Sequence, residues 1–152
     1  MSSRSIEERI AEAERGESET LICRMKSGWL MLSDMQTPRG WCILNRAPVV
    51  EGLEPLTDDE RADFLTDMAA AGDALMKATG AYRMNYSILG NTDPHLHAHI
   101  HPRFEDEPDH LRRQPVWAIW RHLDRVPFDA RHDAPLIAEI KKLLTAAGRV
   151  VE

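Results

Sequence analysis

Between Asp93 and Phe104 the chain reads DPHLHAHIHPRF, with histidines at positions 95, 97, 99 and 101. Of the seven histidines in 152 residues, four stand here at strict two-residue spacing. Successive side chains of a β-strand point to opposite faces, so a strand over Pro94–Pro102 places His95, His97, His99 and His101 on one face. Leu96, Ala98 and Ile100 then share the other face and pack on a core. Neighbouring histidines stand about 6.5 Å apart at Cα, close enough for two or three imidazoles to surround one ligand.

Working outward, YRMNYSIL (82–89) reads as a preceding strand, joined to the histidine segment by the turn-like GNTDP. Earlier in the chain, TLICRM, WLMLSD and WCILN are three short runs of strand character. Lys26–Gly28 breaks the first from the second, and a turn carrying Pro38 and Gly40 breaks the second from the third, which suggests an antiparallel meander. Between the two strand groups, Thr57 and Glu60 have the spacing of a capping box. Phe64, Leu65, Met68, Leu75 and Ala78 then recur at helical intervals, and Gly80 stands where a helix stop belongs. SIEERIAEAE predicts a short N-terminal helix with Ile6 and Ile10 on one face. APLIAEIKKLL predicts a last helix with Pro135 in its first turn and Leu136, Ile140 and Leu143 along one side. Strands in groups, not alternating one by one with helices, point to an α+β fold. The expectation is one domain over residues 1–152: an antiparallel sheet of about five strands, a long helix packed on it, and a helix at each end.

Composition narrows the partners. A formal net charge of −6 argues against a surface built to coat a long nucleic acid, but a few local cations or backbone amides still suffice for a small anion. The two cysteines, Cys23 and Cys42, lie in separate apolar runs and read as buried thiols. No apolar run is long enough to cross a bilayer. The start, MSSRSIEERIAEAERG, lacks the pattern of a signal peptide, so a cytoplasmic setting is the expectation.

The histidine stripe admits three chemistries. It can be a solvated strand face. It can be a metal site, for which His-x-His needs further ligands, with Glu105, His110 and His122 as the candidates. It can act on phosphate, since a neutral imidazole is a competent nucleophile near pH 7 and its neighbours can donate protons.

HLHAHIHPR resembles the His-φ-His-φ-His-φ-φ signature, φ being apolar, of the histidine-triad nucleotide hydrolases and transferases. NYSILGNTDP before it and EPDHLRRQPVW after it resemble the bacterial, diadenosine-polyphosphate-hydrolase-like branch. The likeness covers about residues 20–120, leaving 121–152 as a C-terminal tail and helix. It implies the small α+β fold of that family, a homodimer, a small nucleotide substrate and covalent catalysis at its α-phosphate. With Pro102 and Arg103 closing the motif, the triad is His95, His97 and His99; the frame shifted by two fits badly. The resemblance makes His97 the nucleophile, has His99 stabilise the phosphoryl oxygens or leaving group, and has His95 orient the nucleophile. It assigns substrate contacts to Asn85, Thr92, Gly90 and Asp34, places Trp117 at the site mouth, and walls a base pocket with Leu30 and Leu32. For the two leucines plain core is the better reading; Asp34 reads equally well as a strand-terminal turn former, Trp117 as a core or dimer-interface tryptophan, and Asn85 also as an exposed strand amide. Arg103, Arg112 and Arg113, beside several acids, read as charged surface. No metal is implied in the chemical step, magnesium being at most a companion of a polyphosphate substrate. The chain departs from the family pattern at Trp41, where many relatives carry histidine, and at His101, where an apolar residue is usual.

Overall fold

The computed structural model describes residues 4–151. Its elements in chain order are α1 (Ile6–Glu14), β1 (Leu21–Arg24), β2 (Gly28–Leu32), β3 (Cys42–Arg46), α2 (Asp58–Thr79), β4 (Arg83–Ser87), β5 (His97–Arg103), α3 (Asp109–Arg112), α4 (Val116–Ile119) and α5 (Ala130–Ala146). The five strands form one sheet in the order β1-β2-β3-β5-β4. Every neighbouring pair is antiparallel. The first three strands make the meander expected from their short connections, and β5 slots between β3 and β4.

Strand alternation divides the sheet into two unlike faces. Leu30, Leu44 and Ala98 lie in one cross-strand row. With Leu32, Cys42, Leu96 and Ile100 they are buried against Phe64, Leu75, Ile140 and Leu144 of α2 and α5. Each fully buried Leu, Ile or Phe in this layer contributes about 1.5–3 kcal/mol. On the opposite face α1 lays Ile6 and Ile10 against Ala47, Trp29 and Val49.

Helix α2 begins and ends as its sequence predicts. Thr57 accepts from the Glu60 amide, the Glu60 carboxylate accepts from the Thr57 amide at 2.8 Å, and Gly80 is the C-cap. One residue of its predicted apolar face is out of place: Leu65 is 40% exposed. It lies one position off the stripe that carries Phe64, Ala71 and Leu75 inward, while Asp67 is buried instead. The Asp67 carboxylate accepts from the Ser27 amide at 2.8 Å and from its hydroxyl at 2.7 Å, which ties α2 to the β1–β2 turn.

Two predicted boundaries move. Helix α5 starts at Ala130, so Pro135 sits inside the helix and not in its first turn. The earlier start follows from capping: Asp129 accepts from the His132 amide, and Asp133 accepts from the Asp129 amide. Strand β5 starts at His97 and not at Pro94. Pro94 offers no amide hydrogen, and the Asp93 side chain takes that of His95, so His95 joins the sheet only through an isolated bridge to Glu51.

A Cβ built on Gly28 would stand 1.9 Å from the Asn45 carbonyl oxygen of the neighbouring strand. Gly28→Ala is expected to cost about 3 kcal/mol, the strands having to part to admit the methyl group. Urea denaturation checks this: the midpoint should fall at unchanged slope.

Candidate active site

The polar face of the sheet is built from cross-strand rows. Trp29, Asn45 and His97 form one row; Met31, Ile43, His99 and Ser87 form the next. Asn85 faces His101 one row further on. His97 and His101 are buried, at 8% and 1% exposure. The rings of His97 and His99 meet edge-on with centroids 4.9 Å apart, and those of His99 and His101 stack at 5.9 Å. The stripe predicted from alternation is therefore present, over a strand shorter than expected.

His97 Nδ1 lies 2.6 Å from the backbone oxygen of His95. A carbonyl only accepts, so Nδ1 carries the hydrogen and the lone pair stands on Nε2. Orientation of His97 thus comes from the main chain at His95. The His95 imidazole itself lies between carboxylates, with Nδ1 3.0 Å from Asp93 and Nε2 3.7 Å from Glu7; the first contact lacks hydrogen-bond alignment. Asp93 also accepts from the amides of His95 and Ile6, which ties α1 to the approach of β5. Burial works against the Asp93 charge, but these amides outweigh it and hold the carboxyl below its usual range.

On the other side of His97 the site is aromatic. Gln36 pins the β2–β3 turn by accepting from the Gly40 amide and donating to the oxygens of Ser33 and Trp41. Gly40, at φ +88° and with Pro102 and Thr79 tightly around it, delivers Trp41 onto the histidines. Trp41 Nε1 donates to His99 Nδ1 at 3.2 Å, and its ring lies 4.8 Å from that of His101. Trp117 meets His99 and His101 edge-on at 4.9 and 5.1 Å and donates to the Ser87 hydroxyl at 3.0 Å. Trp120 packs edge-on against Trp41 at 5.3 Å. Burial, reinforced by the adjacent histidine and by Arg9 for His99 and Arg103 for His101, lowers the two rings to about 3 each.

The other predicted contacts divide. Gly90 joins Leu89, His95 and His97 around a cavity of about 250 Å³, and Thr92 is exposed on the turn beside it. Asn85 does not reach His97; its Oδ1 accepts from Arg103 at 2.9 Å. Arg103 is 2% exposed and also donates to Glu107 and to the oxygens of Leu111 and Gln114, so it braces the loop that carries Trp117 and is not charged surface. Arg112 and Arg113, by contrast, pair with Asp109 at the surface as expected. Asp34 is already paired: Arg9 binds it through two nitrogens at 2.6 and 3.2 Å, and Arg4 adds a third contact at 2.6 Å. Burial opposes its charge, but the two guanidiniums prevail and keep its carboxyl below the usual range. Leu30 and Leu32 are core. A larger cavity, about 580 Å³, lies along β4 and contains none of the histidines.

For the chelation reading, no group of three or more His, Cys, Asp and Glu among the described residues is arranged to hold a metal ion. Among these residues no helix is long and apolar enough to cross a membrane.

The structure adds Asp93, Asn45 and Arg9 to the site. Asp93 carried a sequence signal, since an aspartate readily bonds the backbone two residues on. Asn45 and Arg9 carried none, because strand register and helix docking place them.

In three dimensions the chain is similar to the crystal structure of a histidine triad (HIT) protein from Sinorhizobium meliloti, at 27% identity and TM-score 0.69, covering 86% of this chain and 94% of that one. A histidine triad protein from Marinobacter aquaeolei matches at 25% identity and TM-score 0.69, covering 83% and 88%. The diadenosine triphosphate hydrolase of Plasmodium falciparum shares the fold at 13% identity and TM-score 0.59, covering 85% and 78%. No protein-family model matches the chain, and no curated protein matches it. The fold is the histidine-triad fold.

Between pH about 6.5 and about 3 the unfolded chain protonates His101 while the folded chain does not. The unfolded state then binds more protons, so stability falls as pH falls through that window. His99 acts in the same direction. Urea titrations of wild type and His101→Leu at several pH values test this. Below pH about 6 the slope of stability against pH should be shallower in the variant by about 1.4 kcal/mol per pH unit.

Proposed function

We propose that this chain, built on the histidine-triad fold, is a nucleotide hydrolase or nucleotidyl transferase that cleaves at the α-phosphate of an adenosine-type nucleotide. One observation carries the reading. The His95 carbonyl occupies His97 Nδ1, which leaves Nε2 as the ring's free nitrogen on a residue that lines a cavity with Gly90 and His95. That is the state a nucleophilic histidine needs.

The reaction runs in two displacements. His97 Nε2 attacks the α-phosphorus, the P–N bond forms, and the bond to the leaving group breaks. The resulting imidazolium keeps its Nδ1 hydrogen on the His95 carbonyl, which disperses the new positive charge. Water, or another acceptor in the transferase case, then attacks phosphorus; the P–N bond breaks and the nucleoside monophosphate departs with neutral His97 restored. Two smaller barriers replace one large one. His99 stabilises the phosphoryl oxygens or the leaving group. Magnesium enters only as a companion of a polyphosphate substrate.

Diadenosine polyphosphates and adenosine phosphoramidates are the substrate classes of this reading. The bacterial, diadenosine-polyphosphate-hydrolase-like branch belongs to it on the strength of NYSILGNTDP and PVW. A homodimer belongs to it as well, with the open flank of the edge strand β4 available to a second sheet.

The test is AMP release from diadenosine tetraphosphate and from an adenosine phosphoramidate, with and without chelator, by wild type and His97→Ala. Activity in wild type should drop at least about a thousandfold in the variant, and acid-free quenching should trap an adenylate on His97 only in wild type. No turnover with either substrate, or full activity in His97→Ala, would overturn the assignment.

A further inference from the structure

His97 and His99 are neighbours on one face of one strand, yet their Nδ1 atoms meet opposite partners. His97 Nδ1 faces a carbonyl oxygen, which only accepts. His99 Nδ1 faces the indole nitrogen of Trp41 at 3.2 Å, and an indole N–H only donates. The two rings must therefore carry their hydrogens on different atoms. His97 keeps its hydrogen on Nδ1 and exposes a lone pair on Nε2; His99 accepts at Nδ1 and carries its hydrogen on Nε2.

We propose that Trp41 is a positioning residue that locks His99 in the Nε2–H tautomer and so makes it a standing hydrogen-bond donor beside the nucleophile. Its catalytic consequence rests on the nucleotidyl transfer proposed above. Its tautomeric content does not. In the other tautomer two N–H groups would point at each other, losing one hydrogen bond and leaving a partly buried donor without a partner, so the locked form should prevail by about tenfold. Partial burial among the aromatic rings keeps His99 neutral over the physiological range, so it offers a hydrogen bond to an oxygen gaining negative charge and does not hand over a proton from an imidazolium. The packing around it admits little else: Trp41 and Trp117 hold the ring from two sides, and His97 meets its edge. A tryptophan at this place does by its ring nitrogen what its bulk alone would not, and a benzene ring of similar shape would lack it.

Trp41→Phe keeps an aromatic ring and removes the donor. In ¹⁵N-correlated spectra of wild type, His99 should show a bare Nδ1 and a protonated Nε2, while His97 shows the reverse. In Trp41→Phe the His99 signals should move toward a mixture of tautomers, with His97 unchanged. The variant's kcat should fall roughly 10- to 100-fold at little changed KM, with thermal melting showing the fold retained. The same substitution placed on His99→Gln, whose amide has no Nδ1 to lock, should add little further loss. A wild-type His99 protonated on Nδ1, an unchanged tautomer in Trp41→Phe, or a full additional loss in the His99→Gln background would overturn the proposal. If Trp41→Phe does not fold, the wild-type spectra still decide. Absence of turnover in wild type would remove the nucleotidyl-transfer reading, and the spectra would then judge the tautomer lock by themselves.

Discussion

Strand β5 carries the molecule's central constraint: it is an interior strand with neighbours on both sides and unlike demands on its two faces. Ala98 and Ile100 are completely buried in the layer shared with α2 and α5, and Leu96 leads into it. A slip of one residue would send those side chains to the polar face and drive histidines into an aliphatic core. The register that keeps the core intact also fixes which imidazole faces Asn45 and which faces Ile43. Folding and chemistry therefore cannot be varied independently here, because the same pairing of β3 with β5 sets both.

Given that register, the site is differentiated by what the rest of the chain brings to each imidazole. Asp93, the α1 amide of Ile6 and the His95 backbone gather on one side of His97, so that side is polar and hydrogen-bonded. Trp41, Trp117 and Trp120 gather on the other, so His99 and His101 sit in apolar surroundings that disfavour their charged forms. His101 shows the cost of this arrangement. Its Nε2 is buried without a hydrogen-bond partner, an unmet polar atom behind the tryptophan wall that costs stability. Arg103 supports the same wall from behind, since its contacts with Glu107, Leu111 and Gln114 hold the segment that leads to Trp117.

Much of this was legible in the sequence, for reasons that differ from element to element. Period-two alternation located the histidine strand, short runs of strand character between turn residues located the other four, and the Thr57–Glu60 pair with Gly80 bounded α2, because these signals are local. Boundaries that depend on side-chain competition were misread: Asp129 starts α5 four residues before Ala134, and Asp93 with Pro94 delays β5. Leu65 was misassigned because a helical interval leaves one position of slack at the edge of an apolar stripe. Within the site, the histidine motif itself identified the row of imidazoles. Asn85 and Asp34 were assigned by resemblance, and neither position reveals that an arginine distant in sequence takes its oxygen. Such pairings follow from docking of α1 and of the loop after β5, which no spacing rule encodes.

Asp34 shows how far an occupied side chain can still serve. An ionised carboxylate offers about four lone-pair positions. Arg4 and Arg9 together use both positions on Oδ1 and one on Oδ2. One position on Oδ2 is left, on a side chain that is 42% exposed. A ribose could therefore bring one hydroxyl to Asp34 without displacing either arginine, whereas two hydroxyls would require breaking a charge-assisted bond worth more than the neutral one replacing it. Helix α1 thus does more than cover the sheet. By fixing Arg9 on Asp34 it leaves that carboxylate one acceptor position, so under the proposed reaction Asp34 can take a single hydroxyl and the phosphate has to supply the rest of the recognition.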